Sequence, residues 1–109
     1  QANNAQRRSD VNTVLNAVGQ YAVDNRGAYP ATITSVSTQI CRTNASCVGG
    51  IDLAVLTNNE LYLTALPIDP TGSSATGTGY YILVTTSTNP RIVVSAPSQE
   101  LGTVISVSR

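Results

Sequence analysis

The chain has 109 residues, no net charge and only 11% charged residues, with arginine as its sole cationic residue type. That length fits one domain with a modest core. The neutral balance leaves no electrostatic footprint for nucleic acid, so no nucleic-acid partner is expected. The absence of histidine removes the commonest general base and the commonest zinc ligand.

No apolar run approaches the length of a membrane span. Phe, Met and Trp are also absent, so the core must be built from Val, Leu, Ile, Ala and some of the five tyrosines. The first residue is Gln1, which points to a processed or shortened chain whose upstream part is out of view.

The segment from Asn4 to Gly27 reads as one long helix. Val11, Val14, Leu15, Val18 and Ala22 recur at the spacing of a single buried face, with Tyr21 beside it. Gly27 is the expected residue just past the C-terminus, and Pro30 follows. Gly19, the valines, Asn12, Asn16 and Thr13 are weak helix formers, so packing must hold the helix in place. Stepping back from Val11 by helical turns reaches Arg8, Arg7 and Asn4, which are polar. Either these turns fray, or they belong to a longer helix with a partner elsewhere, or Ser9 or Asp10 caps a shorter helix. Arg7 and Arg8 are expected on a solvated face. They are also the candidate subunit-interface residues, through pairing with acids of a neighbouring copy.

After Tyr29-Pro30, Ile33 and Val36 are expected to pin a loop or short strand. Cys41 and Cys47 have five residues between them, a spacing unlike a redox or zinc pair. A disulfide across the polar loop between them is favoured over two reduced core cysteines. It implies an oxidising compartment and contributes about 2 kcal/mol by chain entropy. The Asn44-Ala45-Ser46 glycosylation pattern is read as chance.

A second helical region is expected within Ile51 to Leu66, with Leu53, Leu56, Leu61 and Leu66 as its core contacts. Thr57 and Glu60 would form a capping box, Leu61 to Leu63 would continue the helix, and Pro67 and Pro70 would end it.

Thr71 to Gly79 reads as flexible. Three strands follow: Tyr80 to Thr86, Arg91 to Ala96, and Thr103 to Ser108. The short connections between them predict an antiparallel meander. One face would be covered by the long helix, because a small sheet with an apolar face is not stable alone. The expected fold is therefore α+β in a single domain over residues 1–109. A helical spine (1–27) leads to an irregular middle (28–79), and a C-terminal antiparallel sheet of three or four strands (80–109) follows.

No catalytic set emerges. The acids Asp10, Asp24, Asp52, Glu60, Asp69 and Glu100 are scattered, a Ser-His-Asp triad is impossible, and the glycines of 72–79 form no phosphate cradle. For Asp69, a turn before Pro70 is favoured over a calcium ligand. The chain is accordingly expected not to be an enzyme, to use no cofactor and to hold no metal.

Three stretches taken in order carry a family resemblance: RRSDVNTVLNAVGQYAVDNRGAYP (Arg7 to Pro30), YLTALPIDP (Tyr62 to Pro70) and Gly79-Tyr80-Tyr81 opening the sheet. In this order the chain resembles the globular part of a type IV pilin, or of the related type II secretion pseudopilins. The resemblance implies that the helix continues upstream into an apolar segment, which anchors the precursor in the inner membrane and then packs into a filament core. The chain here would be a soluble truncation. Its function would be polymerisation in a pilus or pilus-like filament serving adhesion, motility or secretion. Its partners would be further copies, minor pilins and the assembly machinery, and its place an extracellular filament or a periplasmic pseudopilus. The cysteines lie between helix and sheet, unlike the C-terminal loop bridge of many pilins. The alternative reading is a minor pilin or secreted adhesin-type module that binds a ligand through the cysteine loop and Thr71 to Gly79.

Overall fold

A computed structural model describes residues 2–43, 49–58, 61–70, 73–74, 76–86, 88–97 and 106–108, with the side chains of 2–3 and 106–108 excepted. Helix α1 spans Ala2–Asp24, so it begins well before Ser9 and the polar first turns are helical. Its apolar stripe does what the spacing predicts: Val11, Val14, Leu15 and Val18 are buried, with Ala22 at the margin.

The end of the helix differs in one detail from expectation. The Gly27 N–H donates to the Ala22 carbonyl at 2.7 Å and the Asn25 N–H to that of Tyr21 at 3.0 Å. This closure places a left-handed residue just past the helix. That residue is Arg26 (φ 59°), with Gly27 (φ 86°) following.

Among the described residues four strands form one sheet: β1 Thr38–Cys41, β2 Gly77–Val84, β3 Ile92–Ser95 and β4 Ser106–Ser108. They lie in chain order, each antiparallel to the next. The register aligns Thr38, Ile82, Val94 and Val107 in one row, with Val84 opposite Ile92. Alternation then sends Ile82, Ile92 and Val94 to the face under the helix, where they are buried.

The fold is α+β, as the pattern of elements predicts, but the sheet is not confined to the C-terminal part. Its first strand comes from the middle segment, where Ile40 and Cys41 are buried while Val36 stays 69% exposed. A parallel bridge from Ile51 to Ile40 covers part of the outer edge of β1.

The second helical region is shorter than expected. Helix α2 is only Ala54–Thr57. Its first free N–H, that of Ala54, is taken by the Asp52 carboxylate at 2.8 Å, so Thr57 sits at its end and not at its start. Residues 61–63 are not helical. Asn59 and Glu60, the rest of the expected capping box, lie outside the described residues. Leu53, Leu56 and Leu66 join the core, but Leu61 is 67% exposed.

The expected third strand is described only over Ser106–Ser108, and 103–105 lie outside the described residues. Strand β2 starts earlier than expected, taking in Gly77 to Gly79 from the stretch read as flexible.

Candidate functional site

The most distinctive chemistry sits between the first half of α1 and the sheet. Asn4, Arg7 and Asp10 succeed one another at three-residue spacing, which puts them on one helix face. All three are buried, Asn4 and Arg7 completely. This corrects the expectation of a solvated Arg7 available to a neighbouring subunit. The physical reason is its partner: Asp69, also fully buried, faces it across the domain interior.

Arg7 Nε donates to Asp69 Oδ2 at 2.8 Å and Nη2 donates to Oδ1 at 3.1 Å, a two-pronged fork. Arg7 Nη1 donates to Asn4 Oδ1 at 3.0 Å. Two features of the chain aim Asp69 inward. It precedes Pro70, as Leu66 precedes Pro67, and residues before proline are held extended. Its own N–H donates to the Thr78 carbonyl at 2.7 Å. Asp69 is thus neither a simple surface turn residue nor a free metal ligand; its carboxylate is engaged by a guanidinium.

Thr78 links this pair to a second one. Its hydroxyl donates to the Ile40 carbonyl at 2.7 Å and accepts the Tyr80 N–H at 3.2 Å. The Tyr80 hydroxyl donates to Asp10 Oδ2, and Gln6 Nε2 donates to Asp10 Oδ1 at 2.7 Å. Burial pushes the Tyr80 phenol well above its ordinary value, and the bond to the Asp10 carboxylate pushes it further. Among the described residues, no buried side-chain nitrogen or oxygen is left without a partner. Such an arrangement neutralises charge and fixes geometry.

The other anticipated site residues fall elsewhere. Arg8 is exposed and its carbonyl accepts the Asn12 side chain at 2.9 Å. Cys41 is buried and disulfide-bonded, while Cys47 lies outside the described residues. The loops proposed to bind a ligand are described only in part: 44–47 of the cysteine loop and 71, 72 and 75 of the second loop lie outside.

Toward its C-terminal end the helix meets Tyr62. The two rings of Tyr21 and Tyr62 pack edge to face at 5.9 Å, and the Tyr62 hydroxyl donates to Asp24 Oδ2 at 2.8 Å. That bond raises the Tyr62 phenol above its usual range. An apolar pocket of about 140 Å³ lies between Leu15, Val18 and Ala22 of the helix and Tyr29 and Ile92. A more open groove of about 360 Å³ runs between Asn16 and Gln20 of the helix and Leu61 to Leu63. Among the described residues no three His, Cys, Asp or Glu side chains are grouped to hold a metal. Among the described residues no helix is long and apolar enough to cross a membrane.

Sequence reasoning missed the buried Arg7–Asp69 pair because both residues belong to types that are rarely buried alone. The available signal was positional: Arg7 continues the buried stripe one turn ahead of Val11, and Asp69 is set between two prolines.

No protein-family model matches the chain, and no curated protein or solved structure matches it either.

Proposed function

We propose that this chain is a structural subunit of a bacterial type IV pilus or pilus-like filament, acting by polymerisation and not by catalysis. One observation carries the reading. The three stretches on which the family resemblance rests meet at a single buried point: Arg7 from the long helix, Asp69 from the Leu-Pro-Ile-Asp-Pro stretch, and Tyr80 from the start of the Gly-Tyr-Tyr strand, with Thr78 bonded to both of the latter. Stretches that are weak as separate motifs are coupled parts of one device. The helix lying on an antiparallel meander suits a pilin-like subunit.

In this reading the partners are further copies of the chain, minor pilins and the assembly machinery. The product is an extracellular filament or a periplasmic pseudopilus, and the precursor is held in the inner membrane. The neutral charge of the chain gives no support to a nucleic-acid partner.

The test is the N-terminus of the native mature protein, read by mass spectrometry beside the upstream reading frame. An apolar segment of about 20 residues directly ahead of Gln1, on a protein recovered from sheared surface fibres, is the expected result. A mature protein beginning near Gln1 and recovered only as free secreted monomer would overturn the reading.

A further inference from the structure

We propose that the polar network is a latch. When the Arg7–Asp69 pair is broken, the segment from Asn4 to Asp10 leaves the domain as one unit, while the segment from Val11 to Ala22 stays docked. The proposal does not rest on the filament reading; it uses only contacts within this chain.

The first ground is what the segment buries. Its buried side chains are Asn4, Arg7 and Asp10, and its one apolar residue, Ala5, is exposed. No hydrophobic side chain between 4 and 10 holds it down. From Val11 onward the buried face is apolar throughout. The change from polar to apolar docking is therefore abrupt and falls between Asp10 and Val11.

The second ground is directionality. The guanidinium fork on Asp69 and the Tyr80 hydroxyl on Asp10 need their partners at hydrogen-bond distance. Apolar packing loses strength gradually as side chains shift, whereas a charge-assisted fork is made or unmade. The two anchors are also coupled, because the Asp69 N–H and the Tyr80 N–H both end on Thr78. Loosening the loop at Asp69 loosens the seat of Tyr80, so the contacts fail together.

The third ground is the segment's own helical strength. A few turns of helix in water are unstable without docking, and Asn4, Ser9 and Asp10 are poor helix formers. Once detached, these turns lose their helical hydrogen bonds as far as the apolar boundary. The latch thus lets the front of the helix move without disturbing the core, and any force drawn along the helix from its start meets the ion pair first.

Amide hydrogen exchange followed by NMR tests this in Asp69→Asn against the unaltered protein. Breaking a buried pair corresponds to at least about a hundredfold change in an opening equilibrium. The expected result is exchange at Arg7 to Asp10 faster by about that factor and close to that of an unprotected chain, while Val14 to Ala22 speed up only as the global stability falls and stay protected. Loss of protection in both sets, or protection kept at Arg7 to Asp10, would overturn the proposal.

A second measurement does not depend on how the variant folds. In the unaltered protein at low urea, Arg7 to Asp10 are expected to exchange through an opening that is nearly insensitive to urea. Val14 to Ala22 are expected to exchange only through global unfolding, with its full urea dependence. One shared urea dependence for both sets would overturn the latch.

Discussion

The two halves of α1 are buried to the same depth by opposite chemistry. Arg7 and Asn4 are as inaccessible as Val11 and Val18. The later half is held by area: Val11, Val14, Leu15 and Val18 face Ile82, Ile92 and Val94 of the sheet in one cluster. The earlier half is held by direction, through the fork on Asp69 and the bond from Tyr80 to Asp10. Area is tolerant of shape, and direction is not. The difference teaches that one helix can present a forgiving surface and an exacting one to the same sheet, with the boundary at a single residue step.

The sharpest way to break this comparison is a conservative substitution in each half. Leu15→Met keeps volume and apolarity and is expected to cost less than about 1.5 kcal/mol. Arg7→Lys keeps the charge but cannot reproduce a planar fork that reaches Asp69 with two nitrogens and Asn4 with a third. With charge-assisted hydrogen bonds each contributing about 1.5–3 kcal/mol, its expected cost is about 3 kcal/mol. Urea unfolding of both variants measures the contrast. Equal costs would mean that the early half is held by general burial and not by the fork.

A smaller effect sharpens the same point at the second anchor. Tyr80→Phe removes the hydroxyl from Asp10, which keeps the Gln6 amide. A loss of about 2 kcal/mol is expected. The variant also carries a signature in pH. The folded Tyr80 phenol lies above its ordinary value of 10, chiefly through burial. Above that ordinary value the unfolded chain sheds a proton that the folded chain retains, so the unfolded state gains. The contribution is whole below pH 10 and is lost as pH rises toward the folded value. Urea unfolding at several pH values above about 9.5 is expected to show stability falling less steeply in Tyr80→Phe than in the unaltered protein.

These contrasts also explain what could be read in advance. The apolar half of the helix was legible because Val, Leu and Ala at helical spacing carry periodicity directly. So were β2 and β3, whose alternation and turn residues mark them plainly. The polar half was not legible, since hydropathy scores Asn4, Arg7 and Asp10 as solvent-facing and the partners that hold Arg7 and Asp10 to the rest of the domain lie some sixty or seventy residues away. Strand β1 was missed for a related reason: Thr38–Cys41 is short, and it is held as a strand by pairing with β2 and by the Ile51 bridge. The capping box at Thr57 failed because Thr57 is the last residue of α2, whose first N–H is already taken by Asp52. In each case a distant or neighbouring hydrogen bond overrode the local pattern.

The smallest expected effect compares two arginines that look alike in sequence. Arg7 is placed where only its own chemistry serves, whereas Arg26 is placed where its chemistry is a handicap. Arg26 holds φ at 59° at the helix end, a conformation that costs a residue with a Cβ about 1–2 kcal/mol. It is exposed, and the closing bond from Gly27 to Ala22 is made by backbone alone. Arg26→Gly removes the steric penalty but adds freedom to the unfolded chain, which takes back up to about 1 kcal/mol. A net gain of roughly 0.5–1 kcal/mol is expected, read as a rise in the urea midpoint with unchanged slope. A loss of stability would mean that the Arg26 side chain is itself part of how the apolar half of the helix is closed, and the exacting part of the helix would then not end at Asp10.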